Sequence, residues 1–212
     1  MNRVMLVGGS TETAQRGVDQ LGLEPALGPR KMGLLIFLTS ESILFGTFIA
    51  QYVYGQFQKV SGPGPRQSLD VLVTLGFSVA LWASSLTVQL APHAAKRGHY
   101  GAMRLWLLAT IALGSTFLYG EVSEWLGLFH QQVTGSVDIW ATTFFALTGL
   151  HGMHVILGLG LLLGQVLFSF VKPVSASNDS GLEVISIYWH FVDAMWVLIF
   201  SSVYIWSAFL GG

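Results

Sequence analysis

Five long apolar runs separated by short polar segments dominate the chain, at about 33–57, 69–91, 103–127, 138–171 and 182–210. Each reaches or exceeds the ~20 residues a helix needs to cross a ~30 Å hydrocarbon layer. The fourth contains no Asp, Glu, Lys or Arg and is longer than one crossing requires, so it should tilt or project. Between the runs, Lys59 to Arg66 holds two Gly-Pro steps that cannot continue a helix. Pro92 to Arg104 reads as a short basic loop, with His93 and His99 as solvated residues. Phe129 to Val137 reads as a turn, and 172–181 as the last loop. The five spans contain no proline, and no internal repeat is present. Residues 1–30 are rich in Gly and polar residues and should form a cytoplasmic surface arm. The pattern predicts an all-α fold, an integral membrane bundle of five transmembrane helices occupying 31–212.

Composition agrees. The chain is 52% hydrophobic and only 10% charged, with mean hydropathy +0.62, whereas soluble domains carry roughly 25% charged residues. A net charge of -1 gives no case for nucleic acid. The absence of cysteine excludes disulfides, iron–sulfur clusters and Cys-ligated metals. With the N-terminus inside, the inner segments hold Arg3, Arg16, Arg30, Lys31, Lys96, Arg97, Arg104 and Lys172, and the outer loops only Lys59 and Arg66. That bias predicts an inside N-terminus and an outside C-terminus.

The apolar runs carry a few ionisable groups, which are expensive in a bilayer and need cover from other helices. His190 and Asp193 lie three apart, so on a helix they share a face and can bond to common partners. Trp189 and Trp196, seven apart, stack along a neighbouring face. Counting from the span ends at ~1.5 Å per residue puts Glu41 and His190 roughly 12 Å, Asp193 about 16 Å and His151 about 10 Å from the inner boundary. His154 follows one turn after His151, so three helices place polar groups in one layer. The same count sets Glu121 and Glu124 apart, near the outer surface. Ser84, Ser85 and Thr87 can bond back to their own helix or admit a close neighbour. A layer of this kind can be functional or structural: a protonated Glu41 could simply join helices through a histidine. His151 and His154 could also begin a metal site, but further ligands would have to be guessed. No phosphate loop, catalytic triad or nucleophile elbow is present.

Several of these motifs resemble subunit III of haem-copper terminal oxidases, in its short five-helix prokaryotic form. They are Thr148-Gly149-Leu150-His151-Gly152-Met153-His154, continuing to Gly158, and Tyr188-Trp189-His190-Phe191-Val192-Asp193-Ala194-Met195-Trp196, continuing to Trp206. Phe37 to Glu41 and then Phe45 is similar to the segment bearing that family's buried, carbodiimide-reactive Glu. Ser84 to Thr87, the basic stretch and Trp106 fit the next helices, so the likeness runs over about 30–207 in order. Two departures stand out. Longer members have two further helices ahead of these five, and the family's Gln-x-x-Glu reads Glu121-x-x-Glu124 here.

The resemblance implies an accessory subunit with no catalytic residues and no cofactor or metal of its own, haem and copper residing in partner subunits. It would pack on catalytic subunit I, beside subunit II, in a proton-pumping oxidase that reduces dioxygen to water in a prokaryotic plasma (inner) membrane. It would bind structural phospholipid, sustain proton uptake and protect the complex from turnover inactivation. Lipid or a small extra helical subunit would take the place of the two helices. Glu41, His151, His154, His190 and Asp193 would lock the bundle and tune its hydration. A homologous subunit of a nitric oxide reductase and an independent proton or ion carrier using Glu41 stay open as alternatives.

Overall fold

The computed structural model describes residues 29–57, 69–133, 139–171 and 180–206. They form five long helices: α1 (Pro29–Gln56), α2 (Val71–Lys96), α3 (Tyr100–His130), α4 (Ile139–Val171) and α5 (Ser180–Phe200). The last continues as a π-helical segment, Ser201–Ile205. All five are long and apolar enough to cross a membrane. The arm over 1–28 and the chain end over 207–212 lie outside the described residues.

Local chemistry fixes the helix ends. Asp70 caps α2 by accepting from the backbone N–H groups of Leu72 (3.1 Å) and Val73 (3.2 Å). Gly98, at φ +74°, closes the same helix. Its N–H reaches the Ala95 carbonyl at 2.9 Å and that of His99 reaches Ala94 at 3.0 Å, a paired C-terminal closure that needs a left-handed residue. Gln132, at φ 60°, closes α3 in the same way, and Val133 donates to Leu128 at 3.0 Å. Val133 and Leu128, the positions that commonly pack together at such an ending, are both buried.

One boundary corrects the sequence reading. Pro92 does not open a loop: it lies buried inside α2, which runs on to Lys96. A proline there removes the hydrogen bond to the Val88 carbonyl. Burial of Ala91, Pro92 and Ala95 and the contact from Lys96 to Glu183 hold the last turn in place. Tertiary packing outweighs local propensity. The α2–α3 connection is therefore only Arg97, Gly98 and His99, and His93 and His99 are indeed exposed.

α5 is the hub, with half of its apolar window buried against α1, α2 and α4, whereas only 11% of α1's window is covered. α1 rests on α4 and α5 and leaves Ile36 and Ile43 exposed along its outer side. α1 and α5 run parallel, since Lys31 meets Glu183 at 2.8 Å and Tyr52 donates to the Val203 carbonyl at 3.5 Å. α4 runs antiparallel to α3. Arg104 pairs with Ser169 at 2.8 Å at one end, and the Trp125 indole donates to Thr148 at 3.2 Å towards the other.

Candidate functional site

The register of these helices brings the polar side chains together. Glu41 on α1 reaches His154 on α4, with Oε2 at 3.2 Å from Nε2. The other ring nitrogen, Nδ1, lies 2.8 Å from the Leu150 carbonyl. A carbonyl only accepts, so Nδ1 carries a proton and Nε2 is the atom turned to the carboxyl. Each of these polar atoms thereby has a partner among apolar side chains. Tyr188 on α5 donates to the His154 carbonyl at 3.1 Å and ties the third helix in.

A second node joins α2 to α5. Ser85 is the common partner of His190 and Asp193: its hydroxyl donates to Asp193 Oδ2 and lies 3.2 Å from His190 Nδ1. Asp193 is buried, and its second oxygen has no partner among the described residues. Trp189 and Trp196 turn their indole N–H groups to Ser84 and Ser78, each at 2.8 Å. The Trp189 ring lies in a slot where Gly114 and Gly158 face it, and a Cβ on either would stand 2.9 or 2.7 Å from the ring.

His151 and His154 diverge. His151 is fully buried, stacked on Trp196 at 4.9 Å and edge-on to Phe117 at 5.7 Å, with neither ring nitrogen bonded among the described residues. Among the described residues no three His, Asp or Glu side chains converge to hold a metal.

The separate placement expected for Glu121 is corrected. It is buried, and its carboxyl oxygens lie 3.0 and 3.2 Å from where a Cβ would stand on Gly152, the neighbour of His151. Counting from span ends fails because α3 and α4, at 31 and 33 residues, both exceed one crossing, so their ends are no common ruler. Glu124, one turn on, accepts from Tyr204 at 2.6 Å and Thr74 at 3.0 Å.

Sequence reasoning missed the hydroxyl partners. Ser78 and Ser84 are six apart on α2, a rise of about 9 Å, and Trp189 and Trp196 are seven apart on the facing helix, a rise of about 10.5 Å. That similar rise was the available signal. For Ser85, Tyr188 and Tyr204 no local pattern pointed to the partner. At the opposite end from Glu124, Glu183 gathers Lys31 and Lys96 at 2.8 and 3.0 Å, and the Arg104 guanidinium covers the Phe170 ring at 3.9 Å.

Five apolar helices knitted by buried hydrogen bonds define a class, the multi-pass membrane bundle. Comparison with known proteins narrows it. The chain matches the family described as cytochrome c oxidase subunit III over residues 11–208. It is 34% identical over 182 residues to cytochrome c oxidase subunit 3 of Thermostichus vulcanus, covering 85% of this chain and 89% of that protein. It is 30% identical over 181 residues to quinol oxidase subunit 3 of Bacillus subtilis, covering 85% and 88%. The chain belongs to the cytochrome c oxidase subunit III family.

Proposed function

We propose that this chain is the accessory subunit of a proton-pumping haem-copper terminal oxidase in a prokaryotic inner membrane, packed on the catalytic subunit and performing no redox chemistry itself. The observation that carries this reading is the family match along nearly the whole chain, joined to a core of hydrogen-bonded polar pairs. Haem and copper would reside in subunits I and II. The relatives' names include both cytochrome c and quinol oxidases, so the electron donor is left to experiment. The end bearing Lys31, Lys96, Arg97 and Arg104 would face the cytoplasm, following the positive-inside bias.

The lipid role has a specific candidate place. An apolar cavity of about 570 Å³ opens between α1, α4 and α5, lined by Leu34, Phe37, Ile156, Gly160, Val184 and Tyr188 among others. Its size and lack of charge suit an acyl chain. It adjoins Tyr188, which bonds to the His154 carbonyl, so a bound lipid would brace the Glu41–His154 pair. Purifying the native complex in mild detergent and identifying its subunits and lipids tests the proposal. Co-isolation of haem- and copper-containing oxidase subunits with retained phospholipid is expected. A chain isolated without them, or with nitric oxide reductase subunits, would refute it.

A further inference from the structure

Glu121 and Glu124 lie one turn apart on α3 yet border two different cavities. Glu124 opens onto a cavity of about 220 Å³ at the end of the bundle opposite Glu183, which it shares with Asp70, Thr74, Ser123 and Gln131. Glu121 borders an apolar cavity of about 210 Å³ between α3 and α4, rimmed by half-exposed Val122, Met153 and Ile156. Their hydrogen bonding differs as sharply. Glu124 receives the hydroxyls of Tyr204 and Thr74, one on each oxygen. Both oxygens of Glu121 are buried and bonded to nothing among the described residues.

Side chains one turn apart on a helix are neighbours, and two neighbouring carboxyls in a weakly polarisable interior resist ionising together. Two donors stabilise a charge on Glu124 better than on Glu121, which receives none among the described residues. The other groups around the pair do not alter this assignment. Tyr204, from the π-helical segment, lies near both carboxyls and near Tyr52 of α1. Asp70, which caps α2, adds a further acid on the Glu124 side. On α4, His151 neighbours Gly152 but is turned into the Trp196 and Phe117 rings. Among the described residues no lysine or arginine borders either cavity.

We propose that Glu121 and Glu124 form a proton-binding carboxyl pair, with the proton held on Glu121 and exchanged with water through the polar cavity of Glu124. Gly152 is the cradle of this site: a Cβ there would meet the Glu121 carboxyl at 3.0 Å. The site joins polar solvent at one end of the bundle to the flank of His151, a role separate from the Glu41–His154 pair.

Infrared difference spectroscopy on the purified complex tests this. A protonated-carboxyl C=O band is expected that is lost in Glu121→Gln, kept in Glu124→Gln, and shifted to lower frequency after transfer to D2O. Glu124→Gln should slow that isotope shift. A second measurement needs no variant at the pair. In a Glu41→Gln background, a hydrophobic carbodiimide entering from the lipid side should leave an N-acylurea on Glu121 and none on Glu124. Its nitrogen takes the carboxyl proton, the carboxyl oxygen adds to the central carbon, and the acyl group then migrates to nitrogen. A band unchanged in Glu121→Gln, a band that ignores D2O, or an adduct on Glu124 in place of Glu121 would each overturn the proposal. None of these outcomes bears on whether the chain co-purifies with an oxidase.

Discussion

Glu41 illustrates how a half-buried acid can be made tolerable. His154 supplies its carboxyl with a partner from another helix, while the Leu150 carbonyl fixes the ring's other nitrogen. Glu41→Ala removes the partner of Nε2 and should lower stability by about 1–3 kcal/mol, the usual penalty for orphaning a buried polar atom. Thermal unfolding of the complex in detergent measures it. Glu41→Gln, which keeps a donor, should lose less. Ser85→Ala should behave like Glu41→Ala, because it strips Asp193 and His190 of their common partner at once. At this scale legibility was uneven. That His190 and Asp193 share a face follows from their spacing alone. Their reliance on Ser85 does not, since it depends on the rotation of α2 about its own axis, which α2's nearly uniform apolarity leaves unspecified.

Helices are where hydropathy reads best, because each crossing needs a long apolar run whatever packs against it. The five spans were legible for that reason, and their ends less so. Pro92 is the clearest case: a residue that ends most helices sits inside α2, held by packing. The relative height of Glu121 was hidden for a related reason, since lengths along two helices that each exceed one crossing do not add up to a register. The glycines of α4 show which positions set that packing. Gly158 faces Trp189, where a Cβ would stand 2.7 Å from the ring, whereas Gly164 has nothing within 4 Å. Gly158→Ala should therefore destabilise the bundle by about 1–3 kcal/mol through overpacking. Gly164→Ala should be neutral or stabilise slightly by helix propensity. Paired melting curves distinguish the two.

As a whole, the bundle is lopsided. α5 is half buried against three other helices, whereas α1 is a thin outer wall with its far side bare. The chain leaves that side for lipid or for another subunit. Filling the apolar cavity beside it with Gly160→Phe should release one tightly held phospholipid per chain, countable by native mass spectrometry. Orientation is testable because the chain has no cysteine. A single thiol introduced at exposed Gln131 should react with an impermeant maleimide in intact cells, and one at exposed Arg97 only after the membrane is opened.

We propose that the polar core serves an oxidase by keeping it active rather than by turning over substrate. The most direct measurement is oxygen consumption by the purified complex, followed from its initial rate until it decays, in the unaltered protein and in Glu41→Ala. An unchanged initial rate with a shortened active lifetime is the predicted result. An equal lifetime, in a complex that retains the altered chain, would contradict it.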